Sequence, residues 1–500
     1  MKYSLRAMVG VLLLTSSALT GASAAHEKAP GQNIVLLISD DHSPDLGVYG
    51  NPVIRTPHLD ALAEDGVRFT NAFATTASCS ASRSVILTGL HNHRNGQYGH
   101  NHDFHRFESW DDVKTLPVLL SEAGYRTASA GKFHIGAPDT YAFDTQVGSE
   151  PRNSPAMAEE ARDFIAANDE RPFFLYFATY DPHRGGRWRA DGSRAGLEDI
   201  DTPDDFGNTT EEARSVPAVT YTADEVIVPP FLPDTPMTRI ELAQYYQAVS
   251  RMDAGVGRVI QILKEEDVYD DTLIIYMSDH GIAFQGAKTT TYEPGLRSPL
   301  IVRDPNAERR GSVNEALVSW VDITPTILEF AGVDEPTYEL QIMLEPVREQ
   351  MEETHGLHGR SFLGILDQET PSGWDEIYAS HTFHEIQMYY PMRVVRGRKF
   401  KLIWNIAHGL TYPSAADLWE SPTWQRIYRQ GPDVLYGPRT VGAYLERPEF
   451  ELYDLESDPV EGTNLADDPA FADVLEAHKR KIQDFQRTTQ DPWLLKWTYQ

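Results

Sequence analysis

Three runs of consecutive apolar residues stand out along the chain, at residues 33–39 (NIVLLIS), 173–179 (FFLYFAT) and 272–278 (TLIIYMS). Each is short and lacks polar alternation, which predicts strands covered on both faces. Helical patterns lie between them, the longest over residues 238–266, and residues 125–130 read as a further strand. Strands alternating with helices predict an α/β fold with a mixed, mostly parallel sheet sandwiched by helices. Past Trp374 the texture changes to short alternating runs at 392–395, 400–404 and 451–455. These predict a smaller C-terminal domain built on an antiparallel sheet, with a boundary at 365–375. The reading is therefore one large domain over 25–370 and a smaller second one over 371–500. Segments 184–235, rich in Gly, Asp and Pro, and 339–353, rich in Glu, read as insertions.

The N-terminus changes the compartment. Lys2 and Arg6 precede an apolar stretch, and Ala22-Ser23-Ala24 offers a small-residue cleavage site. That pattern predicts a signal peptide over 1–24 and export, to a periplasm or beyond the cell. The run is shorter than the ~20 residues a membrane span needs, so no anchor is expected. Charge narrows the partners: 44 Lys+Arg against 74 Asp+Glu gives −30, a field that repels nucleic acid and anionic membranes.

Exported chains use cysteine for disulfides, yet Cys79 is the only one here. Its neighbours are small and polar, in a loop leading into a helix, and Arg83 follows closely. A thiol at a helix N-terminus near an arginine is a place for chemistry. The three apolar strands hand over to Asp40-Asp41, Asp181-Pro182-His183 and Asp279-His280-Gly281. Ligands of such sheets bind beyond the carboxyl ends of the strands, so these groups can converge. The aspartates are hard oxygen donors suited to Ca²⁺ or Mg²⁺. Gly131-Lys132-Phe133-His134-Ile135-Gly136 and Lys288 add groups that would hold a doubly charged oxyanion. Five histidines, His91, His93, His100, His102 and His105, fall close together. Their irregular spacing favours a polar loop over a transition-metal site.

Cys79-Ser80-Ala81-Ser82-Arg83 resembles the Cys-x-Pro/Ala-Ser-Arg signature of type I sulfatases. The early Asp-Asp, the Gly-Lys-x-His-x-Gly, the Pro-His after a strand and the Asp-His/Asn-Gly follow in that family's order. Residues 95–99, 381–393, 421–423, 451–454, 464–466 and 490–493 further resemble the branch that acts on N-sulfated glucosamine. Ala81 replaces the commoner Pro, and His280 and Lys288 stand where that branch carries Asn and Arg. The resemblance implies an alkaline-phosphatase-like fold and oxidation of Cys79 to formylglycine (3-oxoalanine) by a maturation enzyme. It implies Ca²⁺, or Mg²⁺, held by Asp40, Asp41, Asp279, His280 and residue 79. A formylglycine gem-diol, activated by the cation and Arg83, would attack sulfur while Lys132, Lys288 and His183 neutralise the sulfate oxygens. His183 or Lys288 would protonate the leaving group, and His134 would help expel sulfate. Asp103, His105, His384 and Arg393 are the candidate sugar contacts, and a terminal sulfated sugar of a glycan is the expected substrate. The alternatives are an O-sulfatase on another polysaccharide such as an algal one, a formylglycine-dependent phosphonate or phosphodiester hydrolase, or an inactive glycan-binding module with Cys79 unmodified.

Overall fold

The computed structural model describes residues 31–148, 150–185, 193, 204–340, 345–351 and 353–498. The signal peptide expected at 1–24 lies outside the described residues. Eight strands form the main sheet: β1 (Asn33–Ser39), β2 (Val67–Phe73), β3 (Arg126–Gly131), β4 (Thr145–Val147), β5 (Phe173–Ala178), β6 (Thr272–Ser278), β7 (Leu300–Arg303) and β8 (Ser312–Ser319). Their order across the sheet is β8-β2-β7-β6-β1-β5-β3-β4. Only β7 runs antiparallel to its neighbours; the other pairs are parallel.

The uniform apolar runs have a simple cause. Along β1, Val35 and Leu37 enter one core while Ile34, Leu36 and Ile38 enter the other, and all five are buried. β5 and β6 divide their side chains the same way. With both faces covered, a strand has no polar side to show.

Helix α1 (Cys79–Thr88) and helix α3 (Ile323–Ala331) cover one face. The long helix α2 (Pro236–Glu265) covers the other with Leu242, Tyr245, Val249, Met252 and Val256. It begins with Pro236 in the first turn behind Thr235, whose side chain accepts the Thr238 N–H.

The C-terminal strands β9 (Glu376–His381), β10 (Met392–Gly397), β11 (Phe400–Asn405) and β12 (Phe450–Asp454) form an antiparallel sheet in that order. Its outer side packs Val395, Leu402 and Leu452 against Ile482 of helix α4 (Ala472–Thr488). Its inner side, through Ile377, Ala379, Val394 and Ile403, is continuous with the α2 core. A shared core on that scale fixes the two parts against each other. At the two ends of the second predicted insertion, Tyr338–Glu339 pairs with Thr354–His355. Among the described residues no helix is long and apolar enough to cross a membrane.

Candidate active site

β6, β1 and β5 lie side by side, which brings the three polar handovers to one edge of the sheet. The ladder runs on past the strands: Asp279 N–H donates to Ser39 O at 3.0 Å, and Asp40 N–H to Asp181 O at 3.2 Å. Asp41 then turns into the left-handed region at φ 60°, and its N–H donates to Asp279 Oδ1 at 3.0 Å. Two glycines are required by close backbone approach. A Cβ at Gly281 would meet Pro294 O at 1.9 Å, and one at Gly131 would meet Ala178 O at 2.1 Å.

Cys79 is the first residue of α1 and is only 1% exposed, so it occupies a buried floor where the sequence read as a loop leading into a helix. Small neighbours allow this, because Ala77 and Ala81 let the helix start directly against the carboxylates. Cys79 Sγ lies 3.3 Å from His280 Nε2 and 3.7 Å from Asp41 Oδ1. Burial pushes the thiol well above its usual range, and Asp40 and Asp41 add to that against the opposing pull of Lys132 and Lys288. As an unmodified thiol it is a poor nucleophile.

Arg83 sits one helical turn on, facing the same way. Its Nη2 is 3.2 Å from Asp40 Oδ1 and its Nε 3.1 Å from Asp279 Oδ2. Its Nη1 donates to Lys132 O and Tyr176 Oη, both at 3.0 Å. Fully buried, Arg83 props two carboxylates from behind and does not line the cavity. Lys132 Nζ bonds Asp40 Oδ2. Lys288 Nζ lies 2.9 Å from Asp41 Oδ2, and His183 Nδ1 lies 2.5 Å from the same oxygen.

Burial opposes ionisation of Asp40 and Asp41. Lys132, His183 and Arg83 outweigh it at Asp40, and Lys288 and His183 at Asp41, holding both well below the usual carboxylate range. Asp279 differs: burial and repulsion from Asp40 push it up to about 6 despite Arg83. A third carboxylate that the surrounding cations leave uncompensated fits a divalent ion. Donor atoms of Asp40, Asp41, Cys79 and His183 lie within 4.8 Å of one another, as do those of Cys79, Asp279 and His280.

Above this floor the cavity encloses about 360 Å³. One wall is histidine: His100, His102, His134 and His384 all line it. His100 Nε2 is 2.9 Å from His384 Nε2, and their other nitrogens reach Ser80 Oγ at 3.2 Å and Ser78 Oγ at 3.0 Å. Burial holds His100, His134 and His384 well below the usual imidazole range, so they are neutral near pH 7. Arg184, Asp205, Asp417 and Glu420 also line the cavity.

Of the predicted sugar contacts, Asp103 and His384 line the cavity, while His105 and Arg393 do not. This corrects the expectation for that pair. His105 accepts the Ile386 N–H at 3.0 Å and braces the wall from behind. Arg393 is fully buried against Asp491, with Nε–Oδ2 at 2.5 Å and Nη2–Oδ1 at 2.9 Å, because a buried guanidinium needs a carboxylate. Sequence reasoning missed Asp417, Glu385, Glu420, Tyr176 and Arg184. Arg184 and Glu385 carried a signal, their positions next to His183 and His384.

Residues 32–333 match the Sulfatase family model, and residues 283–422 match that of the N-sulphoglucosamine sulphohydrolase C-terminal region. The human N-sulphoglucosamine sulphohydrolase is 40% identical over 486 residues, spanning 93% of this chain and 92% of its own. An ulvan-active sulfatase of Formosa agariphila is 28% identical, spanning 92% of this chain and 81% of its own. A solved structure of a protein in complex with its substrate D-glucosamine-2-N,6-O-disulfate superposes with a TM-score of 0.65 at 22% identity. It covers 92% of this chain and 99% of that one. The phosphonate monoester hydrolase of Agrobacterium radiobacter shares the fold at a TM-score of 0.60 and 20% identity. With the mixed sheet, the antiparallel C-terminal sheet and the buried Cys79 floor all in place, the chain belongs to the sulfatase family of hydrolases.

Proposed function

We propose that this exported hydrolase removes sulfate from a terminal N-sulfated glucosamine of a glycan, with residue 79 converted to formylglycine by a maturation enzyme. One observation carries the reading. Cys79 lies at the floor of a cavity where three aspartates, Arg83, two lysines and His183 converge on or behind it. The 40% identity to the human N-sulphoglucosamine sulphohydrolase supports the substrate, because it spans both parts of the chain.

Asp40, Asp41, Asp279 and His280 would hold Ca²⁺ or Mg²⁺. Together the ion and the oxidised residue 79 would supply an acidic aldehyde hydrate as nucleophile. Arg83 orients Asp40 and Asp279 and favours the charged form of each, at Asp279 without outweighing burial. Lys288 and His183 face the cavity and are placed to take negative charge from the sulfate oxygens. Lys288, held protonated by Asp41 and Asp417, is the first candidate to protonate the leaving nitrogen; His183, which burial and the two lysines push below the usual imidazole range, is the second. Lys132 holds Asp40 beneath the floor. His134, neutral and adjacent to the floor, suits a proton acceptor during sulfate release.

The test is sulfate release from defined N-sulfated and O-sulfated glucosamines, and from oligosaccharides sulfated only at the non-reducing end or only internally. Release that requires a terminal N-sulfate is the expected result. Release from O-sulfates alone would replace the substrate and leave the sulfatase reading intact.

A further inference from the structure

Two apolar side chains stand in solvent just outside the cavity mouth. Phe104 is 69% exposed and Ile386 50% exposed. Each directly follows a cavity-lining residue in the chain, Asp103 and Glu385 respectively. A lone exposed apolar residue is ordinary, but these two sit on different loops that are tied together. Ile386 N–H donates to His105 Nδ1 at 3.0 Å, and the Phe104 ring packs on the His105 ring with centroids 4.2 Å apart. Behind them the rings continue inward, His105 to His102 at 5.1 Å and His102 to His134 at 4.9 Å. A row of rings thus leads from the wall above Cys79 to open solvent. Further along the second loop, Tyr389 is also part-exposed, and its hydroxyl accepts from Trp493 Nε1 at 3.4 Å.

The chemistry of the mouth selects what lies on this shelf. Asp103, Glu385, Asp417 and Glu420 line the cavity beside it, so a dense polyanion is repelled there. A sugar ring has polar edges and an apolar C–H face, and that face is what an exposed aromatic or branched aliphatic side chain can cover. We propose that Phe104 and Ile386 form a second sugar subsite, holding the ring face of the residue joined to the reducing side of the sugar in the cavity. The subsite rests on the reading that a terminal sugar fills that cavity. It makes the preferred substrate an oligosaccharide and leaves the free monosaccharide a poorer one.

Phe104→Ala and Ile386→Ser, singly and together, test this with N-sulfoglucosamine and with a tetrasaccharide carrying that sugar at its non-reducing end. The expected result is a roughly five- to tenfold rise in KM for the tetrasaccharide, with its kcat and the monosaccharide kcat/KM unchanged. Equal wild-type KM for both substrates, or equal losses on both in the variants, would overturn the subsite while monosaccharide turnover leaves the N-sulfate reading standing. No sulfate released from either substrate by the wild-type protein would overturn the N-sulfate reading, and the subsite with it.

Discussion

Lys288 Nζ stands 2.7 Å from Asp417 Oδ2, and this ion pair joins two segments that line the cavity, the β6–β7 connection and the stretch between β11 and β12. Burial opposes the charge on Lys288, yet Asp41 and Asp417 together hold it well above the usual lysine range. The C-terminal part therefore helps Asp41 hold the proton on Lys288, a group that lines the cavity.

Asp417→Asn removes one of those two anions. The neighbouring carboxylate favours protonated Lys288, so its loss lowers the lysine pKa. The alkaline limb of the kcat/KM profile should move to lower pH, with roughly a tenfold loss of kcat/KM. A pH–rate series on wild type and variant checks this. An unmoved alkaline limb would show that Lys288 protonation does not govern turnover.

Cys79→Ala should reduce turnover by about 10⁴-fold or more and leave the fold intact, since the side chain packs against polar groups and its truncation empties little apolar volume. Thermal unfolding and sulfate release are the two readouts. Intact mass of the wild-type protein reports the modification directly, because the thiol-to-aldehyde conversion exchanges H₂S for one oxygen. A wild-type mass matching unmodified cysteine in an active preparation would defeat the formylglycine reading.

Asp40→Asn, Asp41→Asn and Asp279→Asn should each lose bound Ca²⁺ or Mg²⁺ together with activity, as each deletes a hard anionic donor. Elemental analysis beside the rate assay tests this. Chelation that leaves the rate unchanged would show the cation site to be wrong.

Acid should loosen the seam between the two parts. His91, His93 and His358 pack together there, and His93 bonds Ser380 Oγ at 3.0 Å and Thr489 Oγ1 at 2.9 Å. Burial holds His91 and His358 well below the imidazole range and His93 at about 4. A base whose folded pKa is depressed takes up its proton first in the unfolded chain. Stability is therefore full above pH ~6.5 and falls as pH drops toward 4, His93 alone costing on the order of 3 kcal/mol by pH 4. Asp322, raised to about 6 by burial, works the other way over part of that range. His93→Gln should flatten the fall of Tm between pH 6.5 and 4; an identical slope in the variant would remove His93 from the account.

The sequence alone determined the three central strands, because a strand buried on both faces must be apolar at every position and so reads clearly without alignment. The residues closing those strands were equally legible, since Asp40, Asp41, His183, Asp279 and His280 follow them directly in the chain. Long helix α2 was legible as a helical pattern over 238–266, while its actual start at Pro236, capped by Thr235, lay two residues earlier. What only tertiary structure decided was which distant segments meet. The strand order β6-β1-β5 makes three separate handovers one site, and no local pattern encodes that order. Arg393 and His105 sit in suggestive segments, yet burial turned one toward Asp491 and the other behind the wall. Asp417 carried no signal at all, because its importance comes from a lysine 129 positions away. Local pattern reports how much of an element is covered; the identity of the covering partner is a property of the whole packed chain.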